Sequence, residues 1–250
     1  MAKAPVAGRV KTRLCPPCTP EEAAAIAEAA LADTLDAVAR CGAGRRLVAL
    51  DGEPGPWLPS GFEVFRQCED PFDQRLAHAW SVAGGPGLQI GMDTPQVTAA
   101  GLDAALALLD EGRAVLGHAP DGGWWAIGLH RPDPRIFLGI PMSWDDTGRR
   151  QEARLRALGL DVQLLPELAD LDHVDDLAAI VRAAPSSRTA ALAERLGLLG
   201  GWCLSPRSVA DRPARGDSVS QRCRSEAGQP PRHEGPNAKD TSLLEPEPAR

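Results

Sequence analysis

The chain has 250 residues and a formal charge of -7, from 27 basic and 34 acidic side chains, and 43% of its residues are hydrophobic. This length and hydrophobic content predict one domain with a buried core plus additional residues. The net acidity argues against binding a nucleic-acid polymer through bulk electrostatics. The sequence contains no recognisable signal peptide and no run of roughly 20 apolar residues that would span a membrane, so we expect a cytoplasmic protein with reduced cysteines.

The first predicted element is a basic loop, "AKAPVAGRVKTRL". Its cationic side chains, Lys3, Arg9, Lys11 and Arg13, are concentrated in an otherwise acidic chain, which favours a small anionic ligand such as a phosphate. Gly8 allows the backbone to approach a ligand closely. A solvated basic loop without a ligand explains the same composition equally well.

Predicted strands and helices alternate after this loop. Thr19 is the expected N-cap of a long helix that Glu22 stabilises through a capping box and that Gly42 ends. This alternation predicts an α/β fold with a mainly parallel sheet and a ligand site beyond the carboxyl ends of the strands. The predicted strands span 45–51, 62–67, 87–93, 114–119, 123–129 and 161–166, and the later helices span 72–83, 98–112, 149–160 and 174–184.

The composition changes near residue 201. The remaining segment is rich in Pro, Ser, Arg and Glu and has few large apolar side chains. Such a segment does not bury enough surface to offset its ordering entropy. We therefore predict a domain over 1–200 and a disordered tail over 201–250.

Carboxylates follow two of the predicted strands. Asp93 ends the strand in "IGMDTP", and Asp170 and Asp172 lie between the last strand and the last helix in "LADLDHVDDL". Carboxylates at such positions bind Mg²⁺, and either of the later two can complete a site with Asp93. A turn before Pro95 and helix capping account for the same residues without a metal.

A glycine-containing turn is predicted in "HAPDGGWWAIGL". Asp121 precedes Gly122 and Gly123 at the entry to a strand, and the two glycines leave room for a sugar or a base. A tight turn between two strands is the simpler interpretation, because Asp-Gly is typical of one.

Cys15 and Cys18 have the Cys-x-x-Cys spacing of redox proteins, and a nearby helix N-terminus would lower the pKa of Cys18. No predicted strand leads into this pair, so we favour a structural role over a redox role.

Taken together, "AKAPVAGRVKTRL", "IGMDTP", "APDGGWWAIGL" and "LADLDHVDDL" resemble, in order and spacing, the motifs of the bacterial radical-SAM/selenodomain-associated transferases. That family is similar to phospholactate guanylyltransferase and to GT-A glycosyltransferases and nucleotidyltransferases. The resemblance runs from Ala2 to about Leu199. It implies a GT-A, Rossmann-like three-layer sandwich and a transferase that uses a nucleotide or nucleotide-sugar donor, a small acceptor and Mg²⁺ or Mn²⁺.

The resemblance also implies roles for individual residues. Lys3, Lys11 and Arg13 would hold nucleotide phosphates, and Asp93 would be the principal metal ligand with Asp170 or Asp172 as the second. The remaining implied substrate-binding residues are Gly8, Arg75 in "FDQRL", Asp121, Gly122 and Gly123.

The sequence departs from the family pattern at its start, because the family's first strand, ahead of the Ala-Lys-x-Pro motif, is missing. We therefore expect codons for five or six apolar residues upstream of Met1. A catalytically inactive or remnant nucleotide-binding module is the alternative to an enzyme.

Two reactions fit these motifs. The four cationic side chains of the opening loop favour nucleotidyl transfer with release of pyrophosphate. Likeness to glycosyltransferases favours glycosyl transfer, for which Trp124 or Trp125 offers an apolar face to a sugar, although a core role is expected for at least one of them. The sequence does not predict the oligomeric state.

Overall fold

The computed structural model describes residues 1–199 and contains the alternating strands and helices that the sequence predicts. The predicted tail, and the domain boundary at residue 200, lie outside the described residues. The strands are β1 Ala2–Lys3, β2 Leu47–Asp51, β3 Glu63–Arg66, β4 Gly87–Ile90, β5 Ala114–His118, β6 Trp124–Leu129 and β7 Val162–Leu165. The α-helices are α1 Pro20–Arg40, α2 Phe72–Ala83, α3 Ala99–Asp110, α4 Thr147–Ala157, α5 Val174–Ala183 and α6 Arg188–Arg195, with short 3-10 helices at Thr12–Leu14 and Pro134–Ile136.

Helix α1 begins with the capping box that the sequence predicts. The Thr19 side chain accepts a hydrogen bond from the Glu22 amide at 3.2 Å, and the Glu22 carboxylate accepts one from the Thr19 amide at 2.8 Å. Two of the amides that a helix start leaves unsatisfied are thereby paired. The position of this helix start matters for function, because the basic loop ends just before it.

The strands form two sheets with the orders β1-β2-β3 and β4-β6-β5-β7. All pairs of the first sheet are parallel, as are β5 and β7, whereas β6 runs antiparallel to both β4 and β5. Residues 119–123 are too short a connection for a parallel crossover, so β5 and β6 form a hairpin. The α/β class is confirmed, and the second sheet is mixed.

Helices cover both faces of the strands. Leu76 of α2 and Leu155 of α4 pack with Ile127 on one face. Leu102 of α3 packs with Ala126, the next residue along β6, on the other face. Because neighbouring strand residues point to opposite faces, this alternation produces the three layers that were predicted.

The sequence predicts that the first strand is missing, whereas the structure has a short first strand, β1, of two residues. Ala2 and Lys3 pair with Leu50 and Asp51 in parallel register. The Met1 amino group donates a hydrogen bond to the Ile90 carbonyl at 3.1 Å, which links β1 to β4 of the other sheet. Two residues are too few to show the alternation that identifies a strand in a sequence.

An apolar cavity of about 290 Å³, here named the interstrand slot, lies between β2 and β4 beside Met1. Within residues 1–199, Leu47–Ala49 pair only with β3, and β4 pairs only with β6. The slot therefore has an unpaired strand edge on each side. Its lining includes Met1, Leu47, Ala49, Trp80, Leu88, Ile90 and Leu102.

The prediction that 174–184 is the last core helix is wrong, because α6 follows it and packs on α1. The Asp33 carboxylate accepts hydrogen bonds from the Thr189 amide at 2.9 Å and the Thr189 hydroxyl at 2.8 Å, which fixes α6 on α1. Helix α6 has only eight residues, and its buried side chains, Thr189, Ala190 and Ala193, are small, so it lacks the long run of large apolar residues that predicts a core helix. Among the helices described, none is long and apolar enough to cross a membrane.

Candidate active site

Two buried side chains hold the basic loop against α1. Val10 packs on Ala24 and Ala27, and Leu14, which has no exposed surface, packs with Ile26. Between these anchors, Lys11 has a left-handed backbone with φ 47° and ψ 35°. The anchors and this conformation direct the chain so that the Lys11 side chain lies under the loop, where only 6% of it is exposed.

The Lys11 ammonium lies among three oxygen groups from two other segments. Nζ is 2.7 Å from Oδ1 of Asp93 and 3.9 Å from Oδ1 of Asp172, and it donates a hydrogen bond to the Leu171 carbonyl. The Leu171 amide in turn donates to the Asp93 carbonyl at 2.8 Å, which ties the two acidic segments together. We name Lys11, Asp93, Leu171 and Asp172 the Lys11 cluster.

Arg13 extends this cluster toward solvent. Its Nη1 donates to Oδ2 of Asp172 at 2.7 Å, and 38% of the arginine side chain is exposed. Asp176, at the start of α5, accepts hydrogen bonds from the amides of Asp172 at 3.0 Å and His173 at 2.7 Å. The sequence analysis missed Asp176, although an acidic residue three positions past an N-cap is a usual capping signal.

The Asp93 carboxyl has a raised pKa. Burial is the main cause, and the nearby carboxylates of Asp170 and Asp172 raise it further, whereas Lys11 opposes them. Asp170 is thus close enough to act on Asp93 electrostatically, and Asp172 shares the Lys11 ammonium with it. The structure brings together Lys11, Arg13, Asp93, Asp170 and Asp172, as the predicted site requires.

The donors of the Lys11 cluster suit a hard divalent cation. Two carboxylates and a carbonyl are the oxygen ligands that Mg²⁺ and Mn²⁺ prefer. Asp93 Oδ1 is buried and, beyond its ion pair with Lys11, has no hydrogen-bond partner in the described part of the chain. No group of three or more His, Cys, Asp or Glu side chains in residues 1–199 has metal-binding proximity. The oxygens of the cluster match the ligand chemistry of such a cation, but only two of them belong to separate carboxylate side chains, and the Lys11 ammonium occupies the space among them.

The predicted turn at Asp121 is present. The Asp121 carboxylate accepts a hydrogen bond from the Gly123 amide at 2.9 Å, and Gly122 has φ +89°. A Cβ atom on Gly122 would lie 1.8 Å from the Asp145 carbonyl oxygen, and the Gly148 amide donates to the Gly122 carbonyl at 2.7 Å. Packing against the segment before α4 is thus enough to require this glycine.

A histidine–carboxylate pair next to this turn has no counterpart in the sequence analysis. Nε2 of His118, at the end of β5, is 3.0 Å from Oε2 of Glu152, and Arg156 donates to the same carboxylate. These contacts lower the pKa of Glu152, with Arg156 as the main cause. A Cβ on Gly148 would lie 2.7 Å from Nδ1 of His118, so α4 covers that ring nitrogen. The pair is best explained as a link between β5 and α4.

The other predicted substrate-binding residues of the opening segment remain accessible. Lys3 Nζ is 3.9 Å from Asp51 Oδ2, and 43% of the lysine side chain is exposed. Gly8 has φ +73° with open space on its Cβ side, and Arg9 is exposed. These groups are available to an incoming anion.

Arg75 contacts the start of β1 through Gln67. Arg75 Nη1 donates to the Gln67 side-chain oxygen at 3.2 Å, and Gln67 Nε2 donates to the Ala2 carbonyl at 2.8 Å. The guanidinium also lies 5.0 Å from the centre of the Phe72 ring. Neither partner belongs to the Lys11 cluster. The sequence offered no signal for Gln67, because its role depends on the pairing of β1 with β2.

Burial and aromatic packing settle two further expectations. The pKa of Cys18 is raised, first by burial and then by Glu22 and Cys15, which does not favour the redox role that the Cys-x-x-Cys spacing allowed. The four described cysteines are unpaired. Trp125 is buried and donates to the Pro166 carbonyl at 3.0 Å, which confirms a core role for one of the two tryptophans.

Comparison with known proteins supports this description of the fold. Residues 26–144 match the model of a family described as "Uncharacterized protein conserved in bacteria (DUF2064)". No curated protein matches the chain. A CMP:2-keto-3-deoxy-manno-octonic acid synthetase in complex with CTP (10% identity, TM-score 0.44, 66% of this chain and 88% of that one) and Rv0371c from Mycobacterium tuberculosis H37Rv (20%, 0.43, 72% and 95%) are more distant, and scores this low do not establish a shared fold.

A protein from Desulfovibrio desulfuricans G20, provisionally assigned as a nucleotide-diphospho-sugar transferase, is much more similar. It is 27% identical with a TM-score of 0.72, and the alignment covers 79% of this chain and 93% of that one. The chain therefore has the α/β fold of this nucleotide-diphospho-sugar transferase-like protein.

Proposed function

We propose that this protein is a metal-dependent transferase that acts on a nucleotide-activated donor. The observation that carries the proposal is the Lys11 cluster, in which the basic loop meets two acidic segments in a fold similar to that of a nucleotide-diphospho-sugar transferase. A donor phosphate needs cationic side chains, and a divalent cation needs oxygen ligands. The cluster supplies both within one small region.

The exposed basic groups around the cluster are the proposed phosphate ligands. Arg13 has a planar guanidinium that binds phosphate oxygens in pairs, and its partial exposure leaves it accessible. Lys3 and Arg9 provide further positive charge on the same segment, and Gly8 leaves the backbone open to close approach. Their proposed role is to orient the donor and to stabilise negative charge that develops on its leaving phosphate.

Asp93 and Asp172 are the proposed ligands of Mg²⁺ or Mn²⁺, with Asp170 as an electrostatic neighbour. When bound, the cation would neutralise charge on the donor phosphates. Two hydrogen bonds orient Asp172 for this role. Its amide donates to the Asp176 carboxylate, and its own carboxylate accepts from Arg13. The Leu171–Asp93 backbone hydrogen bond holds together the two segments that carry these carboxylates.

Acceptor binding is proposed on the side of the Asp121 turn and Arg75. The turn lies at the edge where β5 ends and β6 begins, and in α/β folds ligands occupy that edge. Arg75 Nε is buried without a hydrogen-bond partner among residues 1–199, so it can still donate to a bound group. Kinship with the radical-SAM/selenodomain-associated transferases and with phospholactate guanylyltransferase stays a proposal that rests on the four sequence motifs.

Different observations support nucleotidyl transfer and glycosyl transfer. The concentration of Lys3, Arg9, Lys11 and Arg13 favours nucleotidyl transfer, because a departing pyrophosphate carries more charge than a diphosphate bound to a sugar. The likeness to a nucleotide-diphospho-sugar transferase favours glycosyl transfer. An inactive nucleotide-binding module is the remaining alternative, since a fold does not fix an activity.

Two incubations of the full-length protein with Mg²⁺ test the proposal. One contains ATP, CTP, GTP or UTP with phosphorylated acceptors, and the other contains nucleotide-sugars with sugar, alcohol or phosphorylated acceptors. Release of pyrophosphate only in the first identifies nucleotidyl transfer, and release of nucleoside diphosphate only in the second identifies glycosyl transfer. Nucleotide binding by calorimetry without turnover in either set would favour the inactive module, and absence of both binding and turnover would refute the proposal.

A further inference from the structure

We propose that Lys11 is an exchangeable plug in the cation site: its ammonium fills the site in the free protein, and a divalent cation replaces it when donor phosphates bind Lys11. The inference rests on the proposed function, since it concerns the same cluster. It adds an order of events, in which the metal enters with the nucleotide or after it.

The first step of the argument is the position of the ammonium. Lys11 Nζ contacts the Asp93 carboxylate, the Leu171 carbonyl and, at longer range, the Asp172 carboxylate. These are the oxygens that would surround Mg²⁺, so the ammonium and the metal compete for one space. Two cations at this separation would repel each other strongly in a poorly solvated site.

The second step is burial. Only 6% of the Lys11 side chain is exposed, compared with 43% for Lys3 in the same segment. A buried ammonium requires partners, and the Lys11 cluster provides them. In the free protein the carboxylates and the lysine therefore satisfy each other, which leaves little attraction for a metal alone.

The third step concerns what displaces the lysine. The phosphates of a donor provide Lys11 with new anionic partners. They also add negative charge next to Asp93 and Asp172, which increases the attraction of the site for a divalent cation. Mg²⁺ is commonly bound through one or two carboxylates together with substrate phosphates. Movement of Lys11 from carboxylate to phosphate opens a place for the metal.

The test measures Mn²⁺ binding to the full 250-residue chain without nucleotide, by electron paramagnetic resonance of the free ion. Lys11→Met removes the charge and keeps the length of the side chain, and we expect it to bind Mn²⁺ at least about tenfold more tightly than the wild type. Arg45→Met is the control, because it removes a positive charge that is paired with Glu63 outside the cluster, and it should bind as the wild type does. Adding Asp93→Asn to Lys11→Met should remove the gain.

Equal Mn²⁺ affinities of the wild type and Lys11→Met would overturn the proposal, as would a gain that survives in the double variant. Circular dichroism checks that the variants fold. If Lys11→Met does not fold, Lys11→Gln replaces it, with the same expected results. Gln keeps a neutral hydrogen-bond donor toward the Leu171 carbonyl. These nucleotide-free results do not depend on turnover, so failure of the plug and failure of the proposed transferase activity remain distinguishable.

Discussion

Arg13 donates a 2.7 Å hydrogen bond to Asp172 across 159 positions of the sequence. This contact joins the first loop of the chain to the last loop before α5. Two charged residues so far apart have no local reason to meet. Their pairing results from the tertiary fold. It shows that oppositely charged side chains from distant loops meet at the candidate site.

The Arg13–Asp172 pair is expected to matter more for activity than for stability. Arg13→Ala should lower the melting temperature by only a few degrees, because partly exposed ion pairs contribute about 0.2–1 kcal/mol. Turnover should fall at least about tenfold, since a charge-assisted hydrogen bond to the donor phosphate is lost. Thermal unfolding and steady-state kinetics on the same preparation measure both effects.

Arg45 provides the control for this prediction. It forms a similar 2.7 Å ion pair with Glu63 at an exposed position outside the Lys11 cluster. Arg45→Ala should resemble Arg13→Ala in stability and retain wild-type turnover. Equal loss of turnover in the two variants would contradict a specific role for Arg13.

Asp93 should produce a measurable dependence of stability on pH. Its raised pKa means that the folded state binds the proton more tightly than the unfolded state, whose Asp pKa is about 3.9. The free energy of unfolding should therefore fall as the pH rises from about 4 through the folded pKa of Asp93. Asp93→Asn should lack this component, as urea unfolding at a series of pH values would show.

The same variant tests the proposed role of Asp93 as a metal ligand. Asn has the shape of Asp without its charge, so Asp93→Asn should keep the fold and lower turnover by roughly 10²–10³. A variant that keeps full turnover, or a wild type that works in excess chelator, would refute the assignment of Asp93 as a metal ligand.

Gly122 should be intolerant of any side chain. In Gly122→Ala the new Cβ would meet the Asp145 carbonyl oxygen, and the positive φ adds a cost of about 1–2 kcal/mol. Gly159→Ala is the matched control, because Gly159 also has a positive φ but has open space around its Cβ position. We expect Gly122→Ala to lose at least about 2 kcal/mol more than Gly159→Ala in denaturant unfolding. Similar losses would mean that the segment before α4 moves away easily.

The interstrand slot should accept an added strand. Joining five apolar residues to the amino group of Met1 would continue the register of β1, so that the two nearest to Met1 would lie opposite Val48 and Leu47, where β2 lacks a partner on the slot side. Burial of each large apolar side chain contributes about 1.5–3 kcal/mol, so the melting temperature should rise by several degrees. An extension of five Gly and Ser residues is the control, and an equal rise with both extensions would argue against strand addition.

The amino group of Met1 provides a second readout of the slot. Burial lowers its pKa to about 6 from the usual 8.0, with partial opposition from Asp93. The unfolded state thus binds more protons between these pH values, and the stability of the 250-residue chain should increase as the pH rises from 6 to 8. The apolar extension converts this amine to an amide and should abolish the increase.

Much of the fold follows from local patterns. The Thr19–Glu22 capping box fixes the start of α1, and runs of apolar residues between turn signals locate β2 to β7 within a few residues of their observed ends. These features depend on neighbours within one helical turn or one strand. Local patterns could not reveal β1, which has two residues, or α6, which is short and has small buried side chains.

The residue types and their positions after predicted strands are enough to name the side chains of the candidate site. Lys11, Arg13, Asp93 and Asp172 are identifiable from their loops, because charged groups after strand ends are expected at the ligand-binding edge of an α/β fold. Their pairing with one another depends on how the chain packs. The backbone hydrogen bond from Leu171 to Asp93 joins the loop after β7 to the loop after β4, and the Lys11 ammonium is buried among the oxygens of these two loops. Local preferences act over a few residues, whereas the electrostatics of a site depend on distances that only the packed fold sets.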